Sequence, residues 1–271
     1  MERDTKRAIC IDAHIHLDSY AEAERESLLA AAFEEGVAAV VAVSMHLESS
    51  IVNRELAMRH IGRVYPAYGF HPEQSLPSPE ETDQLFAWIR SRHEAGEPFA
   101  IGEVGLPYYT RTEYETAGRY FNEQPYVELL ERFARLAAEL DRPIVLHAVY
   151  EDADKACDIL ARHNVQRAHF HWFKGDEAVV RRMAASGYMI SITPDAAYEE
   201  EIRELVKRYP IELMMVETDG PWPFEGPYTG RPTRPAMAAD AARHIAAIKG
   251  LPEHKTAEQL MANTKSFYGI V

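Results

Sequence analysis

The stretch AICIDAHIHLD, residues 8–18, is an apolar run followed at once by two histidines two positions apart. Side chains at positions i and i+2 of a strand point to the same side, so this spacing places His14 and His16 together at the end of a first strand. Two imidazoles at one strand end indicate either a metal site or two ordinary polar residues where a strand meets solvent. The other strand ends decide between these two interpretations.

The rest of the chain alternates short apolar, β-branched or aromatic runs with longer amphipathic runs, which is the pattern of βα units and a parallel sheet. Helical stretches such as QPYVELLERFARLAAEL repeat apolar residues at three- and four-residue spacing. The sequence predicts an α/β protein with a single (β/α)8 barrel domain of the TIM type over residues 1–271. The eight strand candidates are RAICIDAH, VAAVVAVS, RVYPAYGF, FAIGEVG, PIVLHAV, RAHFHWF, YMISITP and IELMMVET.

Composition limits the class of protein. The 271 residues are 46% hydrophobic, which is enough for one large core, and no apolar stretch approaches the roughly 20 residues of a membrane helix. The N-terminal MERDTKR is followed by only four apolar residues, and Cys10 and Cys157 fit no disulfide framework, so we expect a cytoplasmic protein that does not bind membranes. A monomer agrees with this composition, but the oligomeric state is open.

The formal net charge of −14 argues against non-specific DNA binding through a basic face. Carboxylates that bind divalent ions are neutralised when the ions bind, so the argument limits nucleic-acid binding only mildly. Two long loops are predicted, at residues 106–123 after the fourth strand and 220–235 after the eighth. Both follow the carboxyl end of a strand, where such barrels place their active sites, so both are candidate substrate loops.

Ionisable side chains stand at the carboxyl ends of five predicted strands. Imidazole and carboxylate together bind Zn, Mn, Fe and similar ions, and one carboxylate among histidines can bridge two ions about 3.5–4 Å apart. Each residue also has an ordinary interpretation, as a solvated histidine, a turn glutamate or a capping aspartate. Their occurrence at strand ends of the same polarity favours a metal centre, formed from His14 and His16, Glu103, His147, His169 and His171, and Asp219.

At these residues the chain resembles the TatD-type metal-dependent deoxyribonucleases, a branch of the amidohydrolase-like metal barrels, and the resemblance runs nearly end to end. The two-histidine motif alone is weak evidence, whereas the ordered set of motifs is specific. The motifs that carry the resemblance are DAHIHLD, GFHPE, IGEVGL, ETDGPWPF, GRPTRP and ANTKSFYGI.

The resemblance implies a binuclear site with two divalent ions per chain, which could be Zn, Mn, Fe, Mg or Ni. One ion would be bound by His14 and His16, the other by His147 and His171, with Glu103 as the bridge. Asp219 would complete the first site and orient or deprotonate the attacking water, so Glu103 and Asp219 are the implied catalytic residues. His171 is preferred to His169 as the ligand because HWFKG resembles the family's stretch after that histidine.

The substrate-binding residues implied by the same motifs and loops are His71, Trp172, Lys174, Arg231 and Arg234. His71 would contact substrate phosphate or support a ligand, or it would be an ordinary hydrogen-bonded turn histidine. Trp172 would stack on a base, unless it packs in the core, and Lys174 would contact phosphate as a point charge. Arg231 and Arg234, in the loop after the eighth strand, would also contact phosphate, unless they are solvated loop charges.

The chain departs from the family pattern at two positions. Pro107 stands where the family has an aspartate, and Val149 stands where a phosphate-pairing arginine is expected. The missing arginine weakens the interpretation as a DNA-binding enzyme. The leading hypothesis is still a deoxyribonuclease that acts on DNA ends. The alternatives are the same metal site acting on an amide, a lactone or a small phosphate ester, and a non-enzymatic metal or nucleotide binder.

Overall fold

The computed structural model describes residues 10–271. Its eight strands form one sheet in the order β1 to β8, so each strand neighbours the next along the chain. This order confirms the predicted (β/α)8 fold class, although the parts of the predictions that fall on residues 1–9 lie outside the described residues. The strands are β1 (Cys10–Ile15), β2 (Val37–Ala42), β3 (Val64–Tyr68), β4 (Ala100–Gly105), β5 (Ile144–His147), β6 (Ala168–Phe170), β7 (Met189–Ile192) and β8 (Met214–Val216).

Helices alternate with these strands. The helix predicted from QPYVELLERFARLAAEL is α5, with the same bounds, and its apolar face is buried. No helix in the described part of the chain is long and apolar enough to cross a membrane. The helices are α1 (Glu22–Glu34), α2 (Leu47–Arg59), α3 (Pro79–Glu94), α4 (Tyr108–Thr116), α5 (Gln124–Leu140), α6 (Glu151–Arg162), α7 (Glu177–Ala185), α8 (Glu200–Arg208), α9 (Ala238–Lys249) and α10 (Glu253–Tyr268).

The chain divides into two compact units. The first unit contains residues 10–42, 57–65 and 191–271. Within it β1 contacts both β2 and β8. The backbone N–H of Asp219 donates to the carbonyl of His14 at 2.9 Å, which fixes the chain just after β8 against the end of β1.

The second unit contains residues 43–56 and 66–190. Within it β4, β5 and β6 pair in parallel, with Gly105 opposite His147. A Cβ atom at Gly105 would lie 1.8 Å from the carbonyl oxygen of His147, so only glycine lets the two strands approach this closely. Every residue of β4 and β5 is buried, which explains why these strands read as continuous apolar runs and not as alternating patterns.

The predicted loop at residues 106–123 is partly wrong, because residues 108–116 form the helix α4. Its aromatic and threonine-rich sequence lacks an apolar helical period, so the pattern did not reveal it. Contacts from elsewhere in the unit stabilise it: the Arg111 guanidinium lies 2.9 Å from the buried carboxylate of Asp152 and 3.3 Å from that of Glu123. The predicted loop at 220–235 is irregular apart from short 3-10 turns.

Candidate metal centre

His14 and His16 share one face at the end of β1, as their spacing predicts. Their rings meet edge to face with centroids 5.3 Å apart. The Nε2 atom of each histidine lies 3.3 Å from the same oxygen, Oδ1 of Asp219. All three side chains are buried in the first unit. We call these three residues the first ligand group.

A buried carboxylate that the sequence analysis did not single out supports this group. Asp12 is fully buried and accepts hydrogen bonds from the backbone N–H of Thr218 at 3.0 Å and from its hydroxyl at 2.5 Å. Burial raises the pKa of Asp12 well above its usual range, and the hydrogen bonds from Thr218 oppose that shift. Asp12 therefore ties β1 to the segment that carries Asp219. Its position two residues before His14 was the available signal, because alternation puts both on one face.

A second ligand group lies in the second unit and consists of His71, Glu103, His147 and His171. Three imidazole nitrogens surround Oε1 of Glu103: Nε2 of His171 at 2.6 Å, Nδ1 of His147 at 3.0 Å and Nε2 of His71 at 3.3 Å. Glu103 is fully buried at the end of β4. His71, predicted as a substrate contact or a supporting residue, is therefore adjacent to the predicted ligands themselves.

The structure also distinguishes the two histidines of the sixth strand. His169 lies inside β6, in register with Val145 and Met189 of the neighbouring strands. His171 follows the end of β6, and its Nε2 lies 3.3 Å from Nδ1 of His147. His171 therefore stands beside Glu103 and His147, and its role as the ligand in preference to His169 stays a prediction.

Glu73 is a further carboxylate that the sequence analysis missed. Its Oε1 lies 3.2 Å from Nε2 of His147, and its two oxygens accept hydrogen bonds at 2.8 Å from the backbone N–H groups of Tyr109 and Thr110. The residue is visible in GFHPE, but one sequence gives no sign that it reaches a histidine 74 positions away.

The charges of this group depend on one another. Burial raises the pKa of Glu73, but its contact with His147 and the hydrogen bond from Thr110 outweigh this and lower the pKa to about 2. Burial lowers the pKa of His147, while the contacts with Glu103 and Glu73 outweigh burial and raise it. His147 thus lies between two carboxylates, which stabilise its protonated form.

The spacing of donor atoms tests whether these residues fit a metal ion. Metal–ligand bonds of about 2.0–2.2 Å place two ligands of a tetrahedral ion about 3.3–3.6 Å apart. The contacts of His14 and His16 with Asp219 are both 3.3 Å, and that of His71 with Glu103 is also 3.3 Å. The ligand atoms of His71, Glu103 and His147 all lie within 4.8 Å of one another. These spacings fit a divalent ion that accepts nitrogen and oxygen ligands, whereas the 2.6 Å between His171 and Glu103 is the distance of a hydrogen bond.

The other predicted substrate residues lie in different surroundings. Trp172 and Lys174 are half-buried after β6, and Trp172 has a left-handed backbone with φ of 36°. In the first unit, the Arg231 guanidinium lies over the Tyr228 ring at 5.4 Å. Arg234 forms a 3.1 Å ion pair with Glu35. Their roles in substrate binding stay predictions.

Comparison with known proteins places these residues in a family. The family model for TatD related DNase matches residues 11–269. An uncharacterized metal-dependent hydrolase of Haemophilus influenzae is 37% identical over 257 residues, covering 95% of this chain and 98% of that protein. Human deoxyribonuclease TATDN3 is 28% identical, with 95% of this chain and 94% of that protein covered.

Solved structures agree with the sequence comparison. The crystal structure of YjjV, a TatD homologue from Escherichia coli K12, matches with a TM-score of 0.82 and 25% identity, covering 97% of this chain and 99% of that chain. The match confirms the fold over nearly the full length of both proteins. The chain belongs to the TatD-related family of metal-dependent hydrolases.

Proposed function

We propose that this hydrolase is a deoxyribonuclease that cleaves phosphodiester bonds at DNA ends, with one divalent ion bound by each ligand group. The observation that carries the proposal is the composition of the two groups, since each combines buried imidazoles with a buried carboxylate at distances that suit a metal ion. The name of the matched family model and that of the human relative support DNA as the substrate.

Bound divalent ions supply Lewis acidity and lower the pKa of water at such a site. The chain's own residues then hold the reactants and move the proton. Asp219 accepts the proton of the attacking water, because its carboxylate lies between His14 and His16 and is only 4% exposed. Glu103 presents its carboxylate to three histidines and would hold a divalent ion there.

The chemistry of the donors also informs the choice of ion. Imidazole nitrogens outnumber carboxylates in both groups, which suits Zn, Mn, Fe or Ni better than Mg. We further propose that the protein is cytoplasmic. Its two cysteines, Cys10 and Cys157, are both free and buried, as a reducing compartment allows.

DNA digestion by the metal-loaded protein tests the proposal. Release of nucleotides from a 5′-labelled single-stranded oligonucleotide is followed for the wild type and for Asp219→Asn, which we expect to lose at least about 100-fold in kcat. Asp176→Asn is the matched control, because Asp176 caps α7 and asparagine caps equally well. Wild-type protein that releases no nucleotide would exclude the nuclease. An Asp219→Asn variant with unchanged activity would exclude the proposed proton transfer and favour a metal or nucleotide binder.

A second candidate function is hydrolysis of a small phosphate ester, a lactone or an amide at the same site. Val149 favours it, because this buried valine stands where the family pattern has an arginine that would pair with phosphate. A substrate panel with bis(p-nitrophenyl) phosphate, lactones and amides distinguishes the two. Turnover of one of these substrates without nucleotide release would replace DNA as the substrate and leave the site assignment unchanged.

A further inference from the structure

We propose that Glu73 is a positioning residue that holds the metal ligand His147 and the first turn of α4 with one carboxylate. The proposal rests on the proposed function in one respect, which is that His147 binds a metal ion. Glu73 itself belongs to neither ligand group. Its side chain is 14% exposed and lies in the loop after β3.

The start of α4 lacks a capping side chain of its own. Pro107 is the residue before this helix, at the capping position, and it makes no side-chain hydrogen bond there. A capping side chain normally accepts hydrogen bonds from the second or third backbone N–H group of the helix. In α4 these groups belong to Tyr109 and Thr110, and both donate to Glu73 at 2.8 Å. Glu73 therefore caps α4 from another part of the chain.

This arrangement explains how the chain accommodates Pro107. The family pattern has an aspartate at this position, and aspartate is among the best capping residues. Proline carries no side-chain acceptor. The carboxylate that the helix start lacks at position 107 is supplied by Glu73, five residues after the end of β3.

Glu73 also contacts His147. Its Nε2 faces Oε1 of Glu73 at 3.2 Å, while its Nδ1 faces Oε1 of Glu103 at 3.0 Å and Nε2 of His171 at 3.3 Å. One ring nitrogen is thus directed toward the second ligand group and the other toward a carboxylate. A carboxylate on the far nitrogen of a histidine ligand fixes its tautomer and ring orientation, and its removal typically weakens metal binding about 10–100-fold.

Glu73 is unsuited to be a ligand itself. Both of its oxygens accept backbone N–H groups of α4, and the contact with His147 is to the nitrogen that points away from Glu103. Its carboxylate therefore acts on the metal site through the orientation of His147.

The test measures metal affinity by calorimetric titration of chelator-treated protein with MnCl₂ or ZnCl₂, and thermal unfolding of the same samples. We expect Glu73→Ala to weaken binding of one ion at least about 10-fold, and Glu73→Gln, which keeps the shape of the side chain but not its charge, at least about threefold. Glu81→Ala is the matched control. Glu81 is the exposed carboxylate of the capping box of α3, so its loss removes a comparable helix contact outside the ligand groups.

Adding Pro107→Asp to Glu73→Ala separates the two roles of Glu73. Aspartate at position 107 caps α4 locally, so we expect it to recover thermal stability but not metal affinity. The proposal is overturned if both Glu73 variants bind metal within twofold of the wild type, or if Pro107→Asp restores affinity together with stability. If the double variant recovers no stability, the affinities of Glu73→Gln and Glu81→Ala decide. None of these readouts depends on nuclease activity, so a failure here is distinct from a failure of the proposed function.

Discussion

Asp12 is a buried carboxylate that depends on hydrogen bonds from neighbouring residues. It is fully buried and is held by Thr218 and by the backbone N–H of His14. A buried carboxylate is costly unless its oxygens accept hydrogen bonds, so each donor matters. The same donors fix the distance between the strand that carries His14 and the segment that carries Asp219.

Thr218→Val removes the hydroxyl that donates to Asp12 and keeps the shape of the side chain. We expect the free energy of unfolding to fall by about 1–3 kcal/mol, because a buried carboxyl oxygen loses its hydrogen-bond donor. Thr256→Val is the matched control, since the Thr256 hydroxyl is also buried but makes no hydrogen bond within the described residues. Denaturant unfolding should show the control unchanged or stabilised. Equal losses in the two variants would show that the contact with Asp12 contributes nothing specific.

At this scale the sequence predicts some residues well and others not at all. The His14 and His16 spacing specifies a shared face because the period of a strand is fixed by its backbone. Glu103 follows from its position at a strand end, whereas the preference for His171 over His169 comes from the resemblance of HWFKG to the family's motif. Glu73 could not be predicted, because its contact with His147 depends on where the loop after β3 turns.

The helix α4 lies where the sequence pattern predicts a loop. Its first turn carries three neighbouring aromatic contacts: Tyr108 lies 4.8 Å from Tyr150, and Tyr109 lies 5.3 Å from Tyr108 and 6.0 Å from the ring of His147. Tyr109 is 52% exposed although it adjoins a predicted metal ligand. An exposed aromatic ring in this position is suited to stack on a planar group of a substrate.

Tyr109→Ala tests this role. We expect KM for single-stranded DNA to rise at least about fivefold with little change in kcat, because stacking on a base contributes about 1–3 kcal/mol. Tyr120→Ala is the matched control, since Tyr120 belongs to the same segment and is 86% exposed. Metal content is measured in parallel, so that a disturbance of His147 is recognised. An unchanged KM would exclude stacking on Tyr109.

The bounds of some elements are determined by their own sequence, and those of others by contacts with distant residues. The bounds of α5 follow from its sequence, because a long amphipathic period specifies a helix by itself. β6 and β8 have three residues each, fewer than their apolar runs suggest, since a strand ends where its pairing ends. The helix α4 depends on Glu73 and on the ion pairs of Arg111, which no local pattern records.

At the scale of the whole molecule the order of strands was predictable from the alternation of patterns, and the prediction of one domain over residues 1–271 stays a prediction. The net charge of −14 also has a consequence at this scale. Of the three predicted phosphate-binding cations, Arg234 is paired with Glu35, which leaves Lys174 and Arg231.

Because few phosphate contacts are predicted, we expect DNA binding to depend only weakly on the salt concentration. With two contacts and a slope of about −0.7 per contact on single strands, raising the salt concentration from 50 to 200 mM weakens DNA binding about sevenfold. Measurement of KM for a single-stranded oligonucleotide over this range checks the value, with bis(p-nitrophenyl) phosphate as the small-substrate control. A loss above about 100-fold would indicate a basic binding face that the charge of the chain does not suggest.

The binding of one divalent ion by each ligand group is tested most directly by the metal content of the purified, metal-replete protein, measured by plasma mass spectrometry. We expect about two divalent ions per chain in the wild type. We expect about one ion per chain in each of His16→Ala and His147→Ala, which affect the first and the second ligand group, respectively. His163→Ala, which removes a histidine paired with Glu131, should retain two. The assignment of the two ligand groups to metal ions would be wrong if the wild-type protein bound no divalent ion, or if all the variants kept the wild-type metal content.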